Sequence, residues 1–462
     1  MSGQTTARAT LAMLVTAGLV VGCALKSAPE PAEVRSQALP NLRTPDTWQS
    51  QGASSSVVEN GWLADFKDPQ LDALIQEAIA NNPDLMVAAA RVEQAAAYVE
   101  VAGAGLYPQV SAIGNISGKD GSSGTTNFGG IFASWELDLW GRVRAGREAA
   151  QLQLLSAQLS TRYARESMAA MVARAWFLAT EARLQKGVAD EMVVAAEKLV
   201  SLARDRQRVG VGSSYDVSIA EASLLTYRDA AEQLDLSYRQ SVQAIETLVG
   251  RYPANELQVA AALPPQPGPV PAGLPSELLE RRPDVVAAER RVAAAFYRTE
   301  EIKAARLPTI SLTGSFSSLS SDLVVLKKRD NPIFGYGGRA TVPLYLGGSL
   351  QAEVKIRTAE QKEAVAEYGR AGANAFADVE KALSAGFALN AREPLLQQAV
   401  VENERALDLA QTRYRVGSDD LRAVEQQQTR LFSARSSLLR VQSEQLVQRI
   451  SLHLALGGSF ES

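Results

Sequence analysis

The chain has 462 residues, a formal net charge of −4, and only one cysteine and one histidine. A single cysteine cannot form a disulfide within one chain, and so few thiol and imidazole groups argue against thiol or zinc chemistry. The net charge and the lack of a concentrated basic stripe in the sequence argue against a nucleic-acid partner. The histidine, His453, stands between two leucines, which favours a packing or surface role over catalysis.

The N-terminal residues are typical of an export signal. Arg8 precedes an apolar run over residues 11–21, which is too short to cross a bilayer as a helix. A small residue and then Cys23 follow this run. Cleavage before Cys23 would remove residues 1–22 as a signal peptide.

The residues around Cys23 resemble the bacterial lipobox, with the order Val20-Val21-Gly22-Cys23. This resemblance implies a covalent lipid on Cys23, as an S-diacylglycerol group and an N-acyl group. In the alternative interpretation, Cys23 is an incidental small residue of an ordinary signal peptide. Asp after the cysteine favours the inner membrane in lipoproteins of this type, whereas Ala24 stands here. We therefore expect the outer membrane of a bacterial cell.

The rest of the chain reads as two copies of one unit. Residues 83–117 match residues 283–317 at a constant offset of 200, and the identical positions include prolines and glycines. A second register, at an offset of 207, aligns Arg206-x-Arg208-Val209-Gly210 with Arg413-x-Arg415-Val416-Gly417. Helical periodicity alone would not align prolines, glycines and the turns between helices. The sequence therefore predicts a tandem duplication.

Composition divides the chain further into segments. Residues 23–61 are rich in Pro, Ser, Gln and Glu without periodicity, which predicts an extended, lipid-anchored tether. The first repeat then covers 62–250 and the second 276–458, with a proline-rich equatorial linker over 251–275 and a C-terminal tail over 459–462. The long stretches 147–209 and 350–416 predict helices of roughly 95–100 Å, each followed by a return helix.

Each repeat also contains two stretches in which polar and apolar residues alternate, as in a β-strand. The predicted strands are 108–118, 129–139, 308–318 and 333–345. Each is about ten residues long, which suits a tilted membrane strand. The polar residues that we assign to the lumen of a barrel are Ser134, Glu136, Asp138 and Arg339. Alternatively, the strands form two soluble hairpins on a layer of helices. Four strands cannot close a barrel, so a spanning subunit must oligomerise.

Several motifs together give a specific resemblance to the TolC-like outer-membrane efflux channels, in their NodT-like lipoprotein branch. These motifs are Trp62-x-x-x-Phe66-x-Asp68-Pro69-x-Leu71, Ser134-Trp135-Glu136-Leu137-Asp138-Leu139-Trp140-Gly141-Arg142, Arg281-Arg282-Pro283-Asp284, Arg413-Tyr414-x-x-Gly417 and Leu454-Ala455-Leu456-Gly457-Gly458. The resemblance implies a mixed α/β membrane protein. It would be a homotrimeric 12-stranded β-barrel, with four strands per subunit, continued by a long α-helical periplasmic tunnel. A periplasmic adapter (membrane fusion protein) and an inner-membrane pump of the RND type are the implied partners.

In this family the tunnel closes at its far tip, where each long helix turns. The residues that we assign to the tip and gate are Gly210, Asp216, Tyr414, Gly417, Asp419, Asp420, Arg422, Glu425 and Gln426. Tyr414 matches the family tyrosine that helps to hold the closed state, but Gln426 replaces the family's axial aspartate. Arg422 and Glu425 either form a charged ring in a trimer or belong to a solvated helix face. We expect Tyr414→Phe, with neutralisation of Arg422, to loosen the tip.

The function expected from these features is a passive exit duct for drugs or other small solutes, in a tripartite efflux system. A lipid-anchored periplasmic coiled-coil scaffold or adapter is the alternative, since it would share the long helical hairpins without needing the strands. An enzyme would need a convergent polar site, and the sequence contains no motif for a nucleophile, a phosphate loop or a metal. Hence we expect no cofactor beyond the covalent lipid.

Overall fold

The computed structural model describes residues 26–50, 56, 58, 60–116, 127–320 and 333–461. The signal peptide and the proposed lipid site at Cys23 lie outside the described residues. The helices are α1 (Pro31–Ala38), α2 (Pro69–Asn81), α3 (Pro83–Ala104), α4 (Arg142–Arg208), α5 (Ser214–Leu248), α6 (Leu278–Arg281), α7 (Pro283–Ala304), α8 (Ser349–Arg415) and α9 (Leu421–Ala455). The strands are β1 (Gln109–Ile116), β2 (Asn127–Leu137), β3 (Thr309–Ser320) and β4 (Ile333–Thr341). Among the helices of these ranges, none is both long enough and apolar enough to cross a bilayer.

The helix lengths confirm the internal duplication. Helices α3 and α7 each have 22 residues, α4 and α8 each have 67, and α5 and α9 each have 35. Both α3 and α7 begin at a proline, a residue whose fixed φ and missing N–H suit the first helical position. Pro394 lies inside α8, and the helix continues on both sides of it.

The chain divides into two compact units. The first unit, Met1–Leu42, Ala89–Ser160 and Asp284–Gly372, contains the strands. They form one antiparallel sheet in the order β1-β2-β3-β4. Strand β2 of the first repeat therefore pairs with β3 of the second. Strands β1 and β4 are the two edges, each paired on one side only within this sheet.

The register of the sheet separates a polar from an apolar face, as the alternation predicts. Glu136 lies opposite Ser311, which in turn lies opposite Arg339. Residues in register share one face, so these three side chains form a polar row. The large apolar residues of the other face are exposed; they are Val110, Ile131, Trp135, Leu312, Phe316, Phe334 and Tyr336. Such a row is rare on a protein whose surface meets only water.

Two strands end earlier than the sequence predicts. Strand β2 stops at Leu137 rather than residue 139, because Asp138 turns to bind the first backbone N–H groups of α4. Strand β4 stops at Thr341 rather than residue 345. Pro343 follows two residues later and has no N–H to offer a strand ladder.

The prediction of an extended tether over 23–61 is wrong in part. In the first unit, Pro31–Ala38 forms helix α1, whose proline start is a helix signal that composition alone obscured. In the second unit, the buried Trp48 donates a hydrogen bond to the carbonyl of Ala272 over 3.1 Å. The backbone N–H groups of Gln49 and Ser50 bind the carboxylate of Glu380 over 2.9 and 3.0 Å. These contacts hold this stretch against the second unit.

The second unit, Arg43–Ala88, Thr161–Pro283 and Ala373–Ser462, contains the main apolar core. Its large buried side chains include Trp62, Phe66, Leu71, Ile75, Trp176, Phe177, Ile245, Leu446 and Ile450. Asp68 caps α2 by accepting hydrogen bonds from the N–H groups of Gln70 and Leu71, and it also accepts one from the indole of Trp176 over 2.8 Å. This cap explains the Asp-Pro pair of the mature N-terminal motif.

His453 also belongs to the interior of the second unit. Its ring stacks on Trp62 with 5.9 Å between centroids, and it is only 3% exposed. Burial, together with the positive charge of Arg449, lowers the pKa of His453 to about 4. The ring is therefore neutral at pH 7, and its contacts are those of a packing residue.

One carboxylate holds the first part of the proline-rich segment 251–273 to the second unit, and side chains such as Arg183 and Trp48 bind its later carbonyl groups. The side chain of Glu246 accepts hydrogen bonds from the backbone N–H groups of Asn255, Glu256 and Leu257 over 2.7 to 3.0 Å. Burial alone would raise the pKa of Glu246, but these three hydrogen bonds and Arg251 outweigh it, so the pKa is lowered. The carboxylate therefore anchors the segment in its ionised form.

We expect Glu246→Gln to loosen this segment, because a neutral amide accepts hydrogen bonds more weakly than a carboxylate. A loss of about 1–3 kcal/mol should appear as faster cleavage of the segment in limited proteolysis. Cleavage of the unaltered protein by pepsin should also accelerate as the pH falls below about 4.3. A carboxylate with a lowered folded-state pKa stabilises the fold above its unfolded pKa, and this contribution is lost as the pH falls through the folded value.

Glu256→Gln is the matched control, since it removes an exposed carboxylate from the same segment. It should leave the cleavage rate unchanged. Equal cleavage rates in the two variants would contradict the anchoring role of Glu246.

Candidate functional site at the tips of the helical hairpins

Two turns of the same type join the long helices to their return helices. Gly210 and Gly417 have φ angles of +80° and +81°, a left-handed conformation that glycine adopts at little cost. The N–H of Val211 then binds the carbonyl of Arg206 over 3.0 Å, and the N–H of Ser418 binds that of Arg413 over 2.9 Å. The matched turns place the four helix ends of the second unit's two hairpins in equivalent positions.

The acidic residues assigned to the tip bind backbone groups at the starts of the return helices. Asp216 forms a capping box with Ser213 at the start of α5. Asp420 accepts a hydrogen bond from the N–H of Ala423 over 3.1 Å, and Asp419 accepts one from the N–H of Asp420 over 2.9 Å. These carboxylates therefore stabilise the N-termini of α5 and α9.

Arg206 joins the ends of the two long helices. Its guanidinium donates to the backbone carbonyl of Tyr414 over 2.7 Å and to that of Arg415 over 3.3 Å. The same guanidinium lies over the ring of Tyr414, 4.7 Å from its centroid. Arg206 thus satisfies carbonyl groups at the C-terminus of α8, where a cation is favoured. Arg206 was not among the residues predicted for the tip, although the repeated Arg-x-Arg before each turn marked its position.

Two further contacts join the return helices. Arg422 donates a hydrogen bond to the hydroxyl of Tyr215 over 2.6 Å, with its guanidinium 5.3 Å from the ring centroid. Glu425 accepts a hydrogen bond from the hydroxyl of Ser223 over 2.8 Å. Burial raises the pKa of Glu425, and the Ser223 hydrogen bond offsets this only in part. The remaining predicted residue, Gln426, is exposed.

Three side-chain groups at the tip are buried without a hydrogen-bond partner among the described residues. One is the Nε of Arg206, whose Nη1 atom donates to the Tyr414 carbonyl. The others are the hydroxyl of Tyr414 and the side-chain amide of Gln428, in side chains that are 2% and 1% exposed. Leaving such a group unpaired costs about 1–3 kcal/mol. In the expected double change, the Tyr414→Phe part therefore breaks no hydrogen bond among the described residues, whereas neutralisation of Arg422 removes its bond to Tyr215. The contribution of Tyr414 comes from its ring and its backbone carbonyl.

The residues assigned to the lumen divide into two kinds. Ser134 and Arg339 are exposed on the polar face of the sheet. Glu136 forms an ion pair with Arg142 at 2.8 Å. Asp138 accepts hydrogen bonds from the backbone N–H groups at the start of α4 and pairs with Arg144 at 3.1 Å. Thus the structure gives Glu136 and Asp138 local partners at the junction of β2 and α4.

Comparison with known proteins shows which family has this architecture. A family profile described as outer membrane efflux protein matches residues 74–251 and 274–458, one match for each repeat. The antibiotic efflux pump outer membrane protein ArpC of Pseudomonas putida is 32% identical over 465 residues, covering 97% of this chain and 95% of the relative. The cation efflux system protein CusC of Escherichia coli K12 is 28% identical over 412 residues, covering 88% and 90%. The open state of the MtrE outer membrane channel of Neisseria gonorrhoeae aligns with a TM-score of 0.81 at 27% identity, covering 95% and 98%.

A duplicated chain with a two-faced sheet and long helical hairpins defines the class of outer-membrane channels that carry a helical tunnel. The family match covers most of the chain, so the chain belongs to the outer membrane efflux protein family. It is the outer-membrane channel component of a tripartite efflux system. This family consists of transport channels rather than enzymes.

Proposed function

We propose that three copies of the chain form one 12-stranded barrel that is continued by an α-helical tunnel into the periplasm. The observation that carries this proposal is a four-stranded sheet with two open edges and an exposed apolar face. An open edge in lipid leaves backbone N–H and C=O groups unpaired at several kcal/mol each, and only closure removes edges altogether. Pairing β4 of one copy with β1 of the next satisfies both edges at once. The apolar face then meets lipid and the polar face lines the duct.

A charge on the apolar face should disrupt this assembly. We expect Tyr336→Lys to lower the amount of trimer in the outer membrane, because lysine on a lipid-facing strand position costs about 2–4 kcal/mol near the bilayer midplane. Trimer is measured as the detergent-resistant band on a gel and by cross-linking in intact cells. Arg339→Lys is the matched control, since it keeps a cation on the polar face of the same strand. An unchanged trimer yield for Tyr336→Lys would count against the membrane barrel and favour a periplasmic scaffold.

We propose that a periplasmic adapter and an inner-membrane pump, of the RND type, dock with this channel and deliver the solute. The names of two relatives refer to efflux of antibiotics and of cations. Chemically different solutes thus leave through ducts of this fold. This supports the proposal that the duct has low selectivity and that the pump determines which solute is exported. For this chain we propose drugs or other small solutes.

We also propose that Cys23 carries the S-diacylglycerol and N-acyl groups and anchors the mature chain in the outer membrane. The lipobox-like residues before Cys23 and the Ala24 after it support this assignment. The intact mass of the mature protein tests it. A mass that begins at an unmodified residue, or one that Cys23→Ser leaves unchanged apart from the substituted atom, would contradict lipidation.

The tip contacts support a gate in which the two hairpins of one subunit separate. The polar links between them include Arg206 with the Tyr414 and Arg415 carbonyls, Arg422 with Tyr215, and Glu425 with Ser223. The buried unpaired groups of Tyr414 and Gln428 instead favour separation of the hairpins, because water can bind these groups once the hairpins part. The packed tip is therefore held by an apolar cluster that includes Leu199, Leu421 and Val424 and by a few polar links. These act against a polar desolvation cost, which suits a two-state element.

We expect Arg206→Gln combined with Arg422→Gln to raise the open-channel fraction in planar bilayers about tenfold, the effect of losing one or more charge-assisted hydrogen bonds. Gln428→Leu, which removes a buried unpaired amide, should lower that fraction, and Tyr414→Phe should not raise it. Arg208→Gln is the matched control, because this arginine lies two residues from Arg206 and its ion pair, among the described residues, is with the nearby Asp205. Equal conductance for all variants would refute the gate, and no conductance from the unaltered protein would refute the channel.

A further inference from the structure

A cavity in the second unit is lined mainly by basic and hydrogen-bond-donating side chains. It measures about 420 Å³ and lies among α4, α8 and α9. Its charged residues are Arg174, Arg282, Lys381 and Asp378. Three cations against one carboxylate leave an excess of two positive charges. Tyr163, Gln448 and Ser451 complete the polar lining with groups that can donate hydrogen bonds.

One of the three cations already has its charge matched by the protein. Arg282 is 3% exposed, and it donates to the carboxylate of Asp378 over 3.1 Å and to the carbonyl of Ala455 over 3.3 Å. Ala455 is the last residue of α9, so Arg282 also faces the negative end of that helix. The arginine and Asp378 therefore form the fixed wall of the cavity.

Arg174 has no such match. Its Nε atom is buried, and within the described ranges it has no hydrogen-bond partner. Burial lowers the pKa of Arg174, and only Tyr163 acts against this, without any contribution from a carboxylate. A buried Nε–H without an acceptor is costly. An anion in the cavity would supply the missing acceptor and remove this cost.

Lys381 adds the second unmatched charge, from a different helix than Arg174. It is exposed and lies on α8, one turn after Asp378. In the part of the chain that the structure describes, it forms no ion pair. The two unmatched cations thus reach the cavity from different helices, as in a site that surrounds its ligand.

We propose that this cavity binds a small organic dianion that carries phosphate or carboxylate groups. The charge excess matches two negative charges, and the donor-rich lining suits oxyanions. The volume lies within the usual range for small-molecule sites and exceeds the needs of a bare ion. The alanines at positions 382, 385 and 455, together with Leu454, offer an apolar wall to the carbon part of such a ligand.

Binding is tested by calorimetry and thermal unfolding of the purified full-length protein in detergent. The probes are inorganic phosphate, glycerol phosphate and succinate, each compared with chloride at equal ionic strength. We expect saturable binding of at least one dianion, with tighter binding of an organic probe than of inorganic phosphate. Arg174→Gln and Lys381→Gln should each weaken this binding about tenfold or more.

Asp378→Asn should act in the opposite direction and strengthen binding, because it raises the positive excess of the cavity. Arg392→Gln, at an exposed arginine elsewhere on α8, is the matched control and should change nothing. Lys381 is exposed, so its variant keeps the test valid even if Arg174→Gln does not fold. Three results would overturn the proposal: equal stabilisation by chloride, equal affinity in all variants, or a carboxylate of another copy bound to Arg174 in the assembled protein.

Discussion

The backbone hydrogen bonds at the two edges of the sheet constrain everything else in this chain. Strands β1 and β4 each present an unpaired row of N–H and C=O groups, beside a face of exposed apolar side chains. In water such edges invite uncontrolled pairing, and in lipid they are costly. The proposed closed barrel answers both problems. It also explains why one subunit contains a sheet that looks incomplete alone.

The tip of the second unit combines a small apolar cluster with polar contacts between the two long hairpins. Arg206 binds carbonyl groups at the end of α8, and Arg422 binds Tyr215 across the return helices. The acidic residues nearby cap their own helices, so they contribute to local helix stability more than to the link between hairpins. The buried amide of Gln428 opposes the packed state. These opposing contributions are the basis of the proposed gate at the tip.

Sequence reasoning predicted the elements that depend on periodicity and repetition. The paired registers located the helices within a few residues, because α4 and α8 share length and turn. The prediction from sequence was wrong where a single side chain decides where a strand ends or where a segment is fixed. Asp138 ends β2 by capping α4, and Trp48 fixes a segment that reads as featureless. The role of Arg206 depends on carbonyl groups 208 and 209 residues away, and no local pattern encodes a contact of that range.

The pairing of β2 with β3 joins one repeat to the other along eleven residue pairs. A molecule with a single repeat would have to make this ladder with a separate molecule, and would lose translational freedom in doing so. Fusing the repeats turns that encounter into an intramolecular one at high effective concentration. It also halves the number of molecules that must meet to close a barrel. The duplication therefore favours closure of the proposed barrel, and its benefit is greatest where the concentration of subunits is low.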